Sequence, residues 1–123
     1  MYYFDGLSSL DVLSLQNCQI EQIDSLSFSH LSHLRRLDLS YNKLSAIKKG
    51  LFDRLFNLDY LNLSSCRIKV IDDESLKDLH KLDTLDLSDN GLEEFSQSDF
   101  DEFKIRHGLE SLKHANFHTF NFN

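Results

Sequence analysis

Six histidines, two cysteines, one acidic run and one glycosylation sequon are the parts of this chain with chemistry to offer. His30, His33 and His80 sit beside Leu31, Leu34 and Leu79 in no spacing that marks a zinc or catalytic site, so solvated side chains are expected. His114 and His118 have the i, i+4 spacing that grips zinc on a helix, but Ala115 stands where the metalloprotease motif needs glutamate. Asp72, Asp73 and Glu74 form an acidic run without a glycine-bearing loop to organise calcium. No Ser/His/Asp, Cys/His, phosphate-loop or paired-carboxylate arrangement is readable. The expectation is a protein that is not an enzyme and holds no metal or cofactor. Asn62-Leu63-Ser64 is the only N-glycosylation sequon.

The elements that must position these residues are set by a repeat. Leu10, Leu34, Leu58 and Leu82 stand 24 residues apart and open the phrases LDVLSLQNCQI, LRRLDLSYNKL, LDYLNLSSCRI and LDTLDLSDNGL. A fixed period of this size marks a solenoid of stacked coils. Each x-Leu-x-Leu-x segment alternates with period two and reads as a short strand. Leu13 and Leu15, Leu37 and Leu39, Leu61 and Leu63, Leu85 and Leu87 are its inward positions. Parallel strands need a return crossover, which the rest of each period supplies.

Cys18, Asn42, Cys66 and Asn90 share one slot where the chain leaves the strand. Asparagine there can bond the backbone groups that a turn leaves unpaired; cysteine fills the space and bonds weakly. The two cysteines are 48 residues apart, two coils, so their α-carbons lie roughly 10 Å apart, too far for a disulfide. Two small buried thiols are expected.

Ile23, Ile47, Ile71 and Phe95 mark the return limbs, followed by Phe28, Phe52, Leu76 and Phe100, then Leu31, Leu55, Leu79 and Phe103. Polar residues fill the remainder, so turns and short 3₁₀ or helical returns are expected. Phe4 and Leu7 match the same slots, as if the chain began inside a further coil. The resulting division is a partial coil over 1–9, repeats over 10–33, 34–57, 58–81 and 82–108, and a degenerate repeat or cap-like tail over 109–123. Two alignments stand open for the tail. In one, Leu109 reopens the phrase 27 residues after Leu82, with His114 in a leucine position. In the other, residues 99–113 form an amphipathic helix and Phe117, Phe120 and Phe122 are the apolar strand positions.

The alternate strand residues form rows on the concave face of such a sheet. Val12, Arg36, Tyr60 and Thr84 make the first, Ser14, Asp38, Asn62 and Asp86 the second, and Gln16, Ser40, Ser64 and Ser88 the third. Asn17, Tyr41, Ser65 and Asp89 flank them. Arg36, Tyr41 and Tyr60 are of the types enriched as interface anchors. Arg36, Asp38, Tyr41, Tyr60, Asn62, Thr84 and Asp86 are therefore the candidate binding residues. Asn62 points outward on this reading, where a glycan would push binding to a flank or the convex side.

A net charge of −7 argues against nucleic acid or anionic lipid as the main partner. Lys48-Lys49 and Arg35-Arg36 are the only basic doublets, and neither is expected to grow into a patch. No apolar run approaches the roughly 20 residues that span a bilayer. The opening Met-Tyr-Tyr-Phe-Asp-Gly lacks the basic flank and apolar run of a signal peptide.

The phrase Leu-x-x-Leu-x-Leu-x-x-Asn/Cys-x-Leu, with phenylalanine in the return limb, resembles the leucine-rich repeat family in its 24-residue subtype. The resemblance covers residues 4 to 112. It implies an α/β solenoid with a parallel sheet on the concave face. The subtype is at home in Toll-like receptor ectodomains, matrix proteoglycans and neuronal adhesion proteins. The cysteine-for-asparagine coils and the irregular step near the end are most similar to Toll-like receptors. The resemblance implies non-catalytic recognition of a protein or microbial ligand on the concave face of an extracellular or membrane-receptor ectodomain. A matrix or adhesion protein and an intracellular scaffold are the alternatives. Open coil ends imply self-association of the isolated chain.

Overall fold

A computed structural model describes residues 6–92 and 97–117. Its central feature is a five-stranded parallel sheet of β1 (Val12–Ser14), β2 (Arg36–Asp38), β4 (Tyr60–Asn62), β6 (Thr84–Asp86) and β7 (His114–Asn116), in that order. On the opposite limb, β3 (Ala46–Ile47) and β5 (Val70–Ile71) form a two-stranded parallel sheet. One helix, α1 (Gln97–His107), precedes β7. The phrase thus folds as a solenoid, each coil contributing one strand to the five-stranded sheet.

Register follows the repeat. Leu13 pairs with Leu37, Leu37 with Leu61 and Leu61 with Leu85. Period two sends Leu37, Leu39, Leu61, Leu63, Leu85 and Leu87 inward, each at most 1% exposed. Fully burying one such leucine contributes about 1.5–3 kcal/mol. Leu13 and Leu15 are only partly buried, because among the described residues β1 is the edge strand and pairs with β2 alone.

The return limbs are chains of i to i+3 hydrogen bonds, the 3₁₀ pattern. Leu31 N–H donates to Phe28 O at 2.9 Å and Leu34 N–H to Leu31 O at 3.0 Å, and residues 52–58 and 76–82 repeat the arrangement. The Phe28 and Phe52 rings stack at 6.4 Å and form the floor of the convex side. Phe95 lies outside the described residues.

Each coil leaves its strand through a left-handed residue: Asn17, Tyr41, Ser65 and Asp89 have φ of 54–59°. An L-residue there costs roughly 1–2 kcal/mol. The coil recovers it by aiming the amides of Asn17, Tyr41 and Ser65 at the carbonyls of Ser40, Ser64 and Ser88, each at 3.0 Å.

Both thiols are free. Cys66 is buried as expected, but Cys18 is exposed, because among the described residues no strand pairs with β1 on the side away from β2.

The tail departs from both alignments. Leu85 pairs with Ala115, so Leu112 takes the place of Leu82 after a 30-residue step, and Leu109 belongs to the return limb. His114 therefore faces outward and is exposed, not in a leucine position. The extra residues make room for α1. The helix is shorter than the amphipathic segment over 99–113 would be, and it stops at Gly108. Gly108 has φ 67°; its amide donates to Ile105 O at 3.3 Å and that of Leu109 to Lys104 O at 2.9 Å, a Schellman cap. Phe117 does pack inward, 5.2 Å from the Phe103 ring. Phe120 and Phe122 lie outside the described residues.

Candidate functional site

The sheet delivers the first two rows as the phrase implies. Val12, Arg36, Tyr60 and Thr84 are register partners, and Ser14, Asp38, Asn62 and Asp86 make the parallel row two residues on. Stacking brings Arg36 over the Tyr60 ring, its guanidinium carbon 4.2 Å from the centroid. This cation–π pair holds a long, flexible arginine flat against the sheet at the centre of the strip. Tyr41, three residues past the end of β2, is 62% exposed. Thr84 donates to the Asp83 carboxylate at 3.1 Å.

The middle row is less open than its composition suggests. Asp38 Oδ1 accepts from Ser40 N–H at 2.9 Å and Ser40 Oγ–H at 2.6 Å. Asn62 repeats the motif with Ser64, and Asp86 with Ser88. These are side-chain turns that cap the end of each strand. They correct part of one expectation: Gln16 is exposed and Ser64 half-buried, but the other two members of the third row are withdrawn from the polar surface. Ser40 and Ser88 are 2% and 6% exposed, and their hydroxyls are spent on the middle row.

Two further members escaped sequence reading. Register places His114 beside Thr84 and Asn116 beside Asp86, extending the first and second rows by one coil. The alternation His114-Ala115-Asn116-Phe117 was the available signal, had Leu112 been taken as the opening leucine. At the strip's edge, Arg35 and Asp59 form an ion pair at 3.1 Å, again between successive coils.

The asparagine slot is structural rather than functional. Asn42 Oδ1 accepts the amides of Cys18 and Ile20 at 3.0 and 2.9 Å, and its Nδ2 donates to the carbonyls of Leu15, Leu39 and Ser40. Asn90 serves Cys66 and Ile68 in the same way. Cys66 donates through Sγ–H to Leu39 O at 3.0 Å, and its sulfur offers the Asn42 amide only a weak acceptor. Burial pushes its thiol above the ordinary value, an effect partly offset by the Asn42 amide.

Among the described residues, no group of three His, Cys, Asp or Glu converges to hold a metal ion. His118 lies outside them. His107 is buried against the Phe103 ring, 4.6 Å between centroids, and burial lowers its pKa. Glu74 on the return limb is lowered chiefly by its hydrogen bond with Lys49. No helix among the described residues is long and apolar enough to cross a membrane.

A family model described as leucine rich repeat matches residues 8–68 and 56–114. The chain belongs to the leucine-rich repeat family. Among solved structures, this leucine-rich repeat chain is similar to that titled "Crystal structure of TLR13-ssRNA13 complex", at TM-score 0.74 and 27% identity. The match covers 91% of this chain and 15% of that one, so the chain spans a small part of its neighbour's length. It resembles a piece of a Toll-like receptor ectodomain. Comparison with curated proteins gives no match. The solved neighbour is titled as a complex with single-stranded RNA, and the comparisons lend no support to the expectation that nucleic acid is not a partner.

Proposed function

We propose that this leucine-rich repeat chain is a non-catalytic recognition module, part of an extracellular receptor of the Toll-like kind. On this reading it binds a protein or microbial ligand on its concave strip. The observation that carries the reading is the Arg36–Tyr60 stack, flanked by exposed Tyr41 and by Asp38, Asn62 and Asp86. An exposed cation–π pair contributes only about 0.5–1 kcal/mol, and about 2 kcal/mol once a partner excludes water from it. Aromatic and arginine anchors amid hydrogen-bonding rims are the composition of interface hot spots. Likeness to a Toll-like receptor supports the receptor setting.

The test is site-resolved crosslinking on cells of the source tissue. A photoreactive phenylalanine replaces Tyr41 on the concave side or Phe56, 48% exposed, on the return limb. The expected result is a discrete adduct from position 41 that disappears in the Arg36→Ala/Tyr60→Ala background. Equal yields from both faces, or adducts from position 56 alone, would overturn the reading. Peptide mapping of secreted protein is the companion measurement, since an occupied glycan at Asn62 would block the strip's centre.

A further inference from the structure

The flank between the first two coils is built differently from the flank between the second and third. In the latter, β3 zips to β5, Lys69 N–H donates to Ser45 O and Asp72 N–H to Ile47 O, both at 2.9 Å. On its other side β3 has no strand partner, and among the described residues no hydrogen bond joins 21–24 to 45–48. The seam stands open as a cleft of about 620 Å³. Lys43, Lys48, Lys49 and Arg67 line it, against Glu21 and Asp24. The Lys48-Lys49 doublet, isolated along the chain, is thus part of a cationic wall in space.

That wall is electrostatically unfinished. Lys43 and Arg67 are 24 residues apart and occupy one slot in successive coils, so the coil spacing of about 4.8 Å stacks like charges. Lys49 is paired with Glu74 at 3.1 Å, but no ion pair among the described residues involves Lys43, Lys48 or Arg67. In a chain of net charge −7, a concentration of cations with no ion pair among the described residues runs against composition.

We propose that the cleft binds a tetrahedral oxyanion, the phosphate or sulfate group of a small ligand, through Lys43, Lys48 and Arg67. The arginine fork takes two oxygens and the lysines act as point charges. Glu21 and Asp24 on the facing wall repel any anion that strays from the cations, which favours a compact group over a long polyanion. The site lies off the concave strip and stands or falls independently of it.

The experiment titrates the ¹⁵N-labelled full chain with sodium pyrophosphate in one arm and sucrose octasulfate in the other, following amides of residues 43–49 and 67. Saturable shifts in at least one arm, weakening as sodium chloride rises, are expected, and the arm that binds identifies the source of the oxyanion. Lys43→Gln/Arg67→Gln weakens binding about tenfold, whereas Lys77→Gln/Lys81→Gln on the return limb leaves it unchanged. If the first double variant fails to give a folded spectrum, exposed Lys48→Gln is read in its place. No saturable shift in either arm, or equal affinity in the cleft variants, overturns the proposal.

Discussion

Replacing Cys66 with asparagine should stabilise the solenoid, and the structure shows by how much. Asn42 and Asn90 each accept two amides of the preceding coil at 2.9–3.0 Å and donate to three carbonyls. At position 66 the sulfur keeps one good donor contact, to Leu39 O at 3.0 Å, and a longer one to Ser64 O at 3.4 Å. The amides of Asn42 and Leu44, equivalent to those that Asn42 and Asn90 serve, meet no carboxamide; that of Asn42 has only the sulfur, a weak acceptor. Restoring two acceptor bonds is worth about 1 kcal/mol each. Desolvating the larger amide in a site 0% exposed takes back part of this, leaving about 1 kcal/mol net. For a chain of this size that raises Tm by about 4 °C. Thermal and urea unfolding followed by circular dichroism would measure it, with Cys66→Ala as the destabilised reference. Asn90→Cys is the reverse experiment and should cost a similar amount. A lower Tm in Cys66→Asn at unchanged m-value would refute the argument, because it would mean that shape, not hydrogen bonding, selects cysteine in that coil.

The buried titratable groups predict two pH limbs. The folded pKa of His107 lies below its ordinary 6.5, so its contribution is full above pH 6.5 and is lost as pH falls through the folded value; His107→Gln should flatten that limb in a stability–pH series. The Cys66 thiol is raised above 9.0, so its contribution is full below pH 9.0 and declines as pH rises through the folded value; the decline should be shallower in Cys66→Ala. Gly50 has φ 95° and a Cβ there would meet Ser25 Oγ, so Gly50→Ala should cost about 1 kcal/mol in urea unfolding; a neutral result would contradict the left-handed turn. Partly buried Leu13, Leu15, Ile20 and Ile23 beside the edge strand β1 should drive self-association, which sedimentation velocity detects as a concentration-dependent coefficient that Leu13→Lys reduces.

The coil architecture was legible because one constraint repeats. A leucine every 24 residues with a period-two strand beside it admits a single way of burying the apolar positions, and stacked coils then fall into the same register. The tail was misread for the same reason. Where Leu85 gives way to Ala115 and Leu87 to Phe117, the periodic signal weakens, and Leu109 and Leu112 both look like the opening leucine. The helix, which consumes six extra residues, is what separates them.

For the concave surface, the sequence by itself determined which residues share a row, since rows follow from register alone. Tertiary structure decided which members of a row remain available. Hydroxyls of the third row turn back onto Asp38, Asn62 and Asp86, and Arg36 lies across Tyr60, because side chains in a stacked sheet meet partners both two residues along the strand and one coil across. The flank cleft is a tertiary product too. Lys43 and Arg67 become neighbours only when coils stack, and the seam beside them opens only because residues 21–24 do not pair with β3. Periodicity is a local property of the chain and can be read from it, whereas the closing of a seam depends on hydrogen bonds between segments 24 residues apart.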